Sequence, residues 1–247
     1  MATNTKVEVI IKRFSGKGHF SKNDLLKFYL KSEPDLKDGT IRRRIDILKK
    51  RGIIQVVRRG IYSFQKKPLW IPSIDSSIKS IYKKLEKQYN DLNIAIWSTA
   101  WLSEFTNLQA FRHFVVIAVE KDFAESVFEH LKETGLKNLY FKPDKKEVSY
   151  YLGDAKETHI ITTLITKSPV QQAEKIVVPK LEKILVDLLC DKDLFNAFQG
   201  SELKNIFYKA FDTYAINTSV LINYARRRSK ENELLDFITK KLSIKLP

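Results

Sequence analysis

At Gly52 the apolar spacing of this chain changes period, and that switch restricts its opening stretch to very few folds. Before it, Ile41, Ile45 and Leu48 recur at helical spacing. After it come two short apolar runs, 54–57 and 61–64, set around Arg58-Arg59-Gly60, the pattern of two strands joined by a tight turn. A glycine at 52 suits a left-handed helix cap, because it has no Cβ to clash there. Upstream, Val7, Ile10, Ile11 and Phe14 share one helical face that Gly16 and Gly18 end. Ser21 and Asp24 predict a capping box, with Phe20 stapled on Leu25, for a second helix reaching about residue 30 before Pro34. A third helix is predicted over 39–51. Three helices followed by a hairpin give a winged helix-turn-helix over residues 1–67.

Composition matters here through its distribution. Residues 1–67 hold eighteen lysines and arginines against six carboxylates, so they carry +12 of the net +15. A charge confined to one end builds a local potential suited to a polyanion, and double-stranded DNA is the expected partner. In such folds the start of the last helix enters the major groove. Thr40, Arg42 and Arg43 are therefore the candidate groove contacts, since an arginine can donate two parallel hydrogen bonds to a guanine edge. Lys37, just before that helix, and Lys49 and Lys50 on it join them as candidate DNA contacts. Arg58 and Arg59 at the hairpin tip suit phosphate or a minor groove, and Lys66 and Lys67 extend the phosphate track. The competing reading is a protein-interaction module whose basic helix face is solvated surface.

Residues 68–169 are charge-balanced, with thirteen side chains of each sign. Pro68 and Pro72 mark a linker over 66–72. Beyond it, helical patterns at 78–89, 98–105 and 122–134 interleave with strand-like runs at 94–97, 114–119, 139–141, 148–152 and 160–164, which predicts a mixed α/β middle domain. Residues 170–247 form a helical C-terminal region of four or five helices, with Ser201 and Asn217 as candidate N-caps. The fold class expected overall is α+β. Arg226, Arg227 and Arg228 are candidate partner-binding residues, although basic residues at a helix end also complement the helix dipole. Cys190, the single cysteine, falls in an apolar helical pattern and reads as core. The longest apolar run, 114–119, is far short of the ~20 residues that span a bilayer, so a cytoplasmic protein without membrane contact is expected.

No phosphate-cradling glycine loop or nucleophile elbow occurs, and the four histidines show no ligand spacing. An enzyme is not expected: the sequence offers no catalytic residue, metal or cofactor. The alternative is a Mg²⁺-dependent nuclease, because Pro143-Asp144 followed by Asp154-Ala155-Lys156 matches the P-D…(D/E)-x-K pattern, in which two carboxylates hold the metal and the lysine positions the attacking water. Asp144 also reads as part of an exposed turn.

Three stretches together resemble a known family. The segment from Gly39-Thr40-Ile41-Arg42-Arg43-Arg44 through Arg59-Gly60-Ile61-Tyr62, the run Ser98-Thr99-Ala100-Trp101-Leu102, and Pro179-Lys180-Leu181-Glu182-Lys183-Ile184-Leu185-Val186-Asp187-Leu188 with the later Tyr224-Ala225-Arg226-Arg227 are similar to AbiEi-type antitoxins of bacterial abortive-infection systems. The resemblance implies a DNA-binding end that represses its own operon. It also implies a C-terminal part that counteracts a cognate nucleotidyltransferase toxin.

Overall fold

The computed structural model describes residues 7–14, 17–64, 67–89, 91–107, 112–150, 155–244 and 246. The fold is α+β. Its head opens with α1 (Val7–Phe14), the two-residue strand β1 (Phe20–Ser21), α2 (Lys22–Leu30) and α3 (Asp38–Lys50), followed by β2 (Ile54–Arg58) and β3 (Ile61–Phe64). The strands form a small antiparallel sheet in the order β1-β3-β2. Local chemistry sets these boundaries. Ser21 accepts from the Asp24 amide at 3.0 Å while Asp24 accepts from the Ser21 amide at 2.7 Å, a reciprocal capping box. Gly52 and Gly60 adopt φ of 67° and 76°, which stops α3 and turns the hairpin. Ile10, Phe14, Phe20, Leu25, Ile41 and Leu48 fill the core of the head, whereas Ile11, expected on that face, is 41% exposed. Gly16 lies outside the described residues.

The body begins with α4 (Ser76–Gln88) and a four-stranded sheet: β4 (Ile94–Ser98), β5 (His113–Val119), β6 (Leu139–Phe141) and β7 (Glu157–Thr163), in the order β4-β5-β7-β6. β5 and β6 both run parallel to β7, and β4 runs antiparallel to β5. A 3₁₀ turn (Thr99–Glu104), α5 (Ala124–Glu133) and α6 (Lys145–Tyr150) connect the strands. Next comes a hairpin of β8 (Val170–Ala173) and β9 (Ile176–Pro179), then α7 (Leu181–Cys190), α8 (Ser201–Thr213), α9 (Thr218–Arg227) and α10 (Glu231–Asp236), which runs into a π-helical turn (Phe237–Lys241). Among the described residues no helix is long and apolar enough to cross a membrane.

Alternation along the strands explains how the body holds together. Ile94, Ile96, Val115 and Ile117 face α4 and α5, while Trp97 and Val116 point the other way into the helical core built on α7. The central strands are therefore buried on both faces, which is why they read as continuous apolar runs. The helices after residue 180 form the third layer over the sheet, and α7 is buried along nine of its ten residues.

Four local expectations are corrected. Residues 148–150 belong to α6 rather than to a strand at 148–152, because Asp144 caps that helix; 151–154 lie outside the described residues. Residues 170–179, placed with the helical region, are a hairpin whose Ala173, Ile176 and Val178 pack into the sheet core. Gly200, not Ser201, occupies the cap position of α8, while Asn217 does cap α9 by accepting from the Val220 amide at 3.2 Å. The proline-marked linker is anchored: buried Trp70 donates through Nε1 to Glu104 at 2.7 Å.

Candidate functional site

Two features of the structure concentrate charge in ways that demand explanation. The first is the solvent face of the head. Lys37 occupies the cap position of α3, and it is exposed together with Thr40, Arg42, Arg43, Lys49 and Lys50. Ion pairs divide this face. Asp38 holds Arg42 at 2.8 Å and also meets Lys22, so that its carboxyl sits below the usual range, mainly through the Lys22 ammonium. Asp46 holds Lys49 at 2.8 Å. At about 100° per residue, Thr40, Arg43, Ile47 and Lys50 form a second stripe whose Arg43 and Lys50 make no ion pair among the described residues, although Asp46 lies one turn from both and Lys50 helps to lower its carboxyl. Between the two arginines proposed for the groove, Arg42 is held by Asp38 and Arg43 makes no ion pair among the described residues.

A third arginine of α3 is withdrawn altogether. Arg44 is 8% exposed, donates to both carboxylate oxygens of Glu33 at 3.1 and 2.6 Å, and stacks 4.4 Å from the Tyr29 ring centroid. It falls on the buried helix face between Ile41 and Leu48, so the face periodicity carried the signal that the sequence reading did not use. Burial raises the Tyr29 phenol above its ordinary value.

The hairpin tip does not stand free of the body. Thr218 donates through Oγ1 to the Val57 carbonyl at 2.6 Å, and the Arg59 amide donates to Ser219 Oγ at 3.2 Å, so the first turn of α9 grips the tip by its backbone. The side chains of Arg58 and Arg59 remain exposed. Lys67 is corrected as a phosphate contact, because its ammonium donates to the Phe211 carbonyl at 2.5 Å and is tied to the body. Lys66 lies outside the described residues.

The second feature is a cavity of about 640 Å³ between the sheet and the helical layer. Lys142 and Pro143 after β6, Thr162 and Thr163 at the end of β7, and Trp97 and Val116 line one side. Lys183, Asp187, Cys190 and Arg228 line the other. Lys183 pairs with Asp187, to which Tyr224 also donates at 2.8 Å. Arg228 donates to Asp187 at 3.3 Å and to Asp191 at 2.6 Å. Burial pushes the Tyr224 phenol up to about 12, and it raises the Asp191 carboxyl as well. A buried ion cluster is seldom the most stable way to fill a core, so its place on a cavity wall marks this site as a functional candidate.

The expected surface role of the 226–228 run is corrected for Arg228, while Arg226 stays exposed beside Glu231. Arg228 turns inward to Asp187 and Asp191, and Arg226 is clamped by Glu231 at 2.6 Å through both Nε and Nη2. Arg227 is exposed.

Asp144 does not behave as a free metal ligand. It accepts from the Glu147 amide at 2.8 Å, while its own amide donates to the Glu147 carboxylate at 2.8 Å, which makes it the cap of α6. Lys156 is exposed, and Asp154 lies outside the described residues. Among the described residues no three histidine, cysteine or acidic side chains are grouped closely enough to hold a metal ion.

A comparison with curated proteins finds no match. A family model matches residues 40–244, from the first turns of α3 to beyond the π-helical turn, and so takes in most of α3, the hairpin, the sheet and the charged cavity as one unit. With most of its length matched in this way, the chain belongs to the family of unknown function DUF6577.

Proposed function

We propose that the chain is an antitoxin-like transcriptional repressor whose head, a winged helix-turn-helix, binds operator DNA. The observation that carries this reading is the exposed stripe of Thr40, Arg43 and Lys50 on α3, whose two cations make no ion pair among the described residues, on the element that also bears Arg42 and Lys49 and beside a hairpin tip exposing Arg58 and Arg59. The order helix, short strand, helix, helix, hairpin supports the winged-helix assignment. Arg43 reads a guanine edge, Arg42 and the lysines meet phosphate, and the tip arginines hold the flanking backbone. The resemblance to AbiEi-type antitoxins supports autoregulation and a role against a nucleotidyltransferase toxin, with Arg226 and Arg227 the exposed members of the candidate partner-binding run. A nuclease role gains nothing from Asp144, whose carboxylate is taken up by helix capping.

The test is binding of the full chain to its own promoter at several salt concentrations. Six phosphate contacts give a log affinity that falls with log salt at a slope of about −5, and a scrambled duplex binds more weakly. Equal binding to both duplexes, or none, removes the repressor reading. Co-purification with the product of the adjacent reading frame tests the antitoxin half.

A further inference from the structure

The cavity lies where β6 and β7 run out at their carboxyl ends, the side of a parallel sheet at which ligands bind in open α/β folds. Its volume of about 640 Å³ is of the size that holds a small molecule. One wall is apolar, with Trp97, Val116, Ile165 and Phe195. Elsewhere the lining carries charge, and its four cations outnumber its three carboxylates. Two of these cations remain available to a ligand. Lys142 is exposed, with its ammonium 4.9 Å over the Phe141 ring, and Arg228 directs two N–H groups at Asp187 and Asp191 out of the five a guanidinium carries.

The same guanidinium sits at the end of a lever. Helix α9 reaches the cavity at its C-terminal cap through Arg228, and Tyr224 behind the wall joins Arg228 in bonding to Asp187 of α7. At its other end Thr218 and Ser219 grip the backbone of the hairpin tip at Val57 and Arg59. About 15 Å of helix separates the two ends, and a helix of that length moves as a rigid element.

We propose that the cavity is an effector site for a small aromatic anion, a ring carrying a carboxylate or phosphate, and that α9 relays its occupancy to the head. The ring lies on the Trp97 and Phe195 wall, and the acid group meets Lys142 and the uncommitted donors of Arg228. The 3.3 Å contact from Arg228 to Asp187, the longer of its two, yields first as the anion draws the guanidinium toward it, and the C-terminal end of α9 shifts on α7. Only the relay rests on the DNA-binding reading; the ligand site does not.

The experiment uses the full chain with 4-hydroxybenzoate, adenosine monophosphate and, as neutral control, adenosine. Cys190 lines the cavity and is the chain's single cysteine, so its alkylation rate reports occupancy directly. At least one anion is expected to bind by calorimetry and to slow Cys190 alkylation fivefold or more, with adenosine inert, and the one that binds tells carboxylate from phosphate. Lys142→Glu, a change at an exposed position, weakens that binding at least tenfold. Saturating anion changes promoter affinity threefold or more, and Ser219→Ala reduces that change. The site is overturned if neither anion binds, or if binding survives Lys142→Glu and leaves Cys190 labelling unchanged. The relay is overturned if the anion binds in the cavity and promoter affinity stays constant. If no duplex binds under any condition while labelling still responds to the anion, the repressor reading fails and the ligand site stands.

Discussion

Thr218 donates its hydroxyl hydrogen to the carbonyl of Val57 at 2.6 Å, across 161 positions of sequence. Both residues are buried, so this bond closes a head-to-body contact from which water is excluded. Thr218→Val keeps the shape and removes the donor, leaving the Val57 carbonyl unpaired. The expected loss is about 1–3 kcal/mol of unfolding free energy, the usual cost of an unmade buried hydrogen bond. Urea denaturation of the two proteins measures it.

The division of the α3 face predicts an order among the arginines. Arg43→Ala with Lys50→Ala removes the two cations of α3 that make no ion pair among the described residues, and should relax sequence preference through Arg43 while reducing the steepness of the salt dependence by about one phosphate contact through Lys50. Arg42→Ala with Lys49→Ala should cost less affinity, because Asp38 and Asp46 already engage those side chains. Fluorescence anisotropy on one duplex with both double variants decides it, and equal losses contradict the division.

Arg44 contributes to stability rather than to binding. Arg44→Lys keeps the charge but loses the two-pronged contact with Glu33 and the stacking on Tyr29. With Glu33 about one-third exposed, the expected cost is about 1–3 kcal/mol, at the lower side of what broken ion pairs cost in full burial. A lowered melting temperature with unchanged affinity at a temperature where both proteins are folded is the expected pattern.

Breaking the Lys183–Asp187 pair differs from replacing it. Asp187→Ala strands a buried ammonium and should destabilise by about 3–5 kcal/mol, whereas Lys183→Met combined with Asp187→Leu removes both charges and should recover most of that loss. Thermal unfolding of the single and double variants tests the cycle. A double variant no better than Asp187→Ala contradicts the pairing.

Burial pushes the Cys190 thiol from 9.0 up to about 11. Because the folded value lies above the unfolded one, the stabilising contribution of the neutral thiol is fully present below pH 9 and is lost as pH rises through 11. Iodoacetamide labelling of the native protein should therefore stay slow at pH 9 and climb toward pH 11, while the urea-unfolded chain reaches half its maximal rate near pH 9. Coincident profiles contradict the burial effect.

The helices and hairpin of the head were legible because their signals are local. Ser21 with Asp24, Gly52 and Gly60 each act within a few residues, and the apolar period of α3 names its buried face. The hairpin at 170–179 was missed for an equally local reason. Its turn residues Glu174 and Lys175 both adopt positive φ, a conformation usually announced by asparagine or glycine. Asp144 was ambiguous for the opposite reason: one carboxylate can cap a helix or bind a metal, and only the amide in front of it decides.

The candidate site was legible in charge and not in geometry. A charge count places +12 at one end of the chain, yet it cannot separate Arg43 on the solvent side of α3 from Arg44 under Tyr29. Lys183 and Asp187 could be seen as one helical turn apart. That they are buried on a cavity wall depends on the sheet and α9 closing over α7.

The sequence alone therefore determined the order of elements in the head, the α+β character and the confinement of positive charge, since caps, glycines and period act between near neighbours. Only the tertiary structure decided which cations are free, that one sheet serves both the middle and the helical regions, and that α9 joins the cavity to the hairpin tip. The grip of α9 on the hairpin tip depends on partners more than a hundred residues apart, and a side chain's type does not encode which partner, near or distant, it will take.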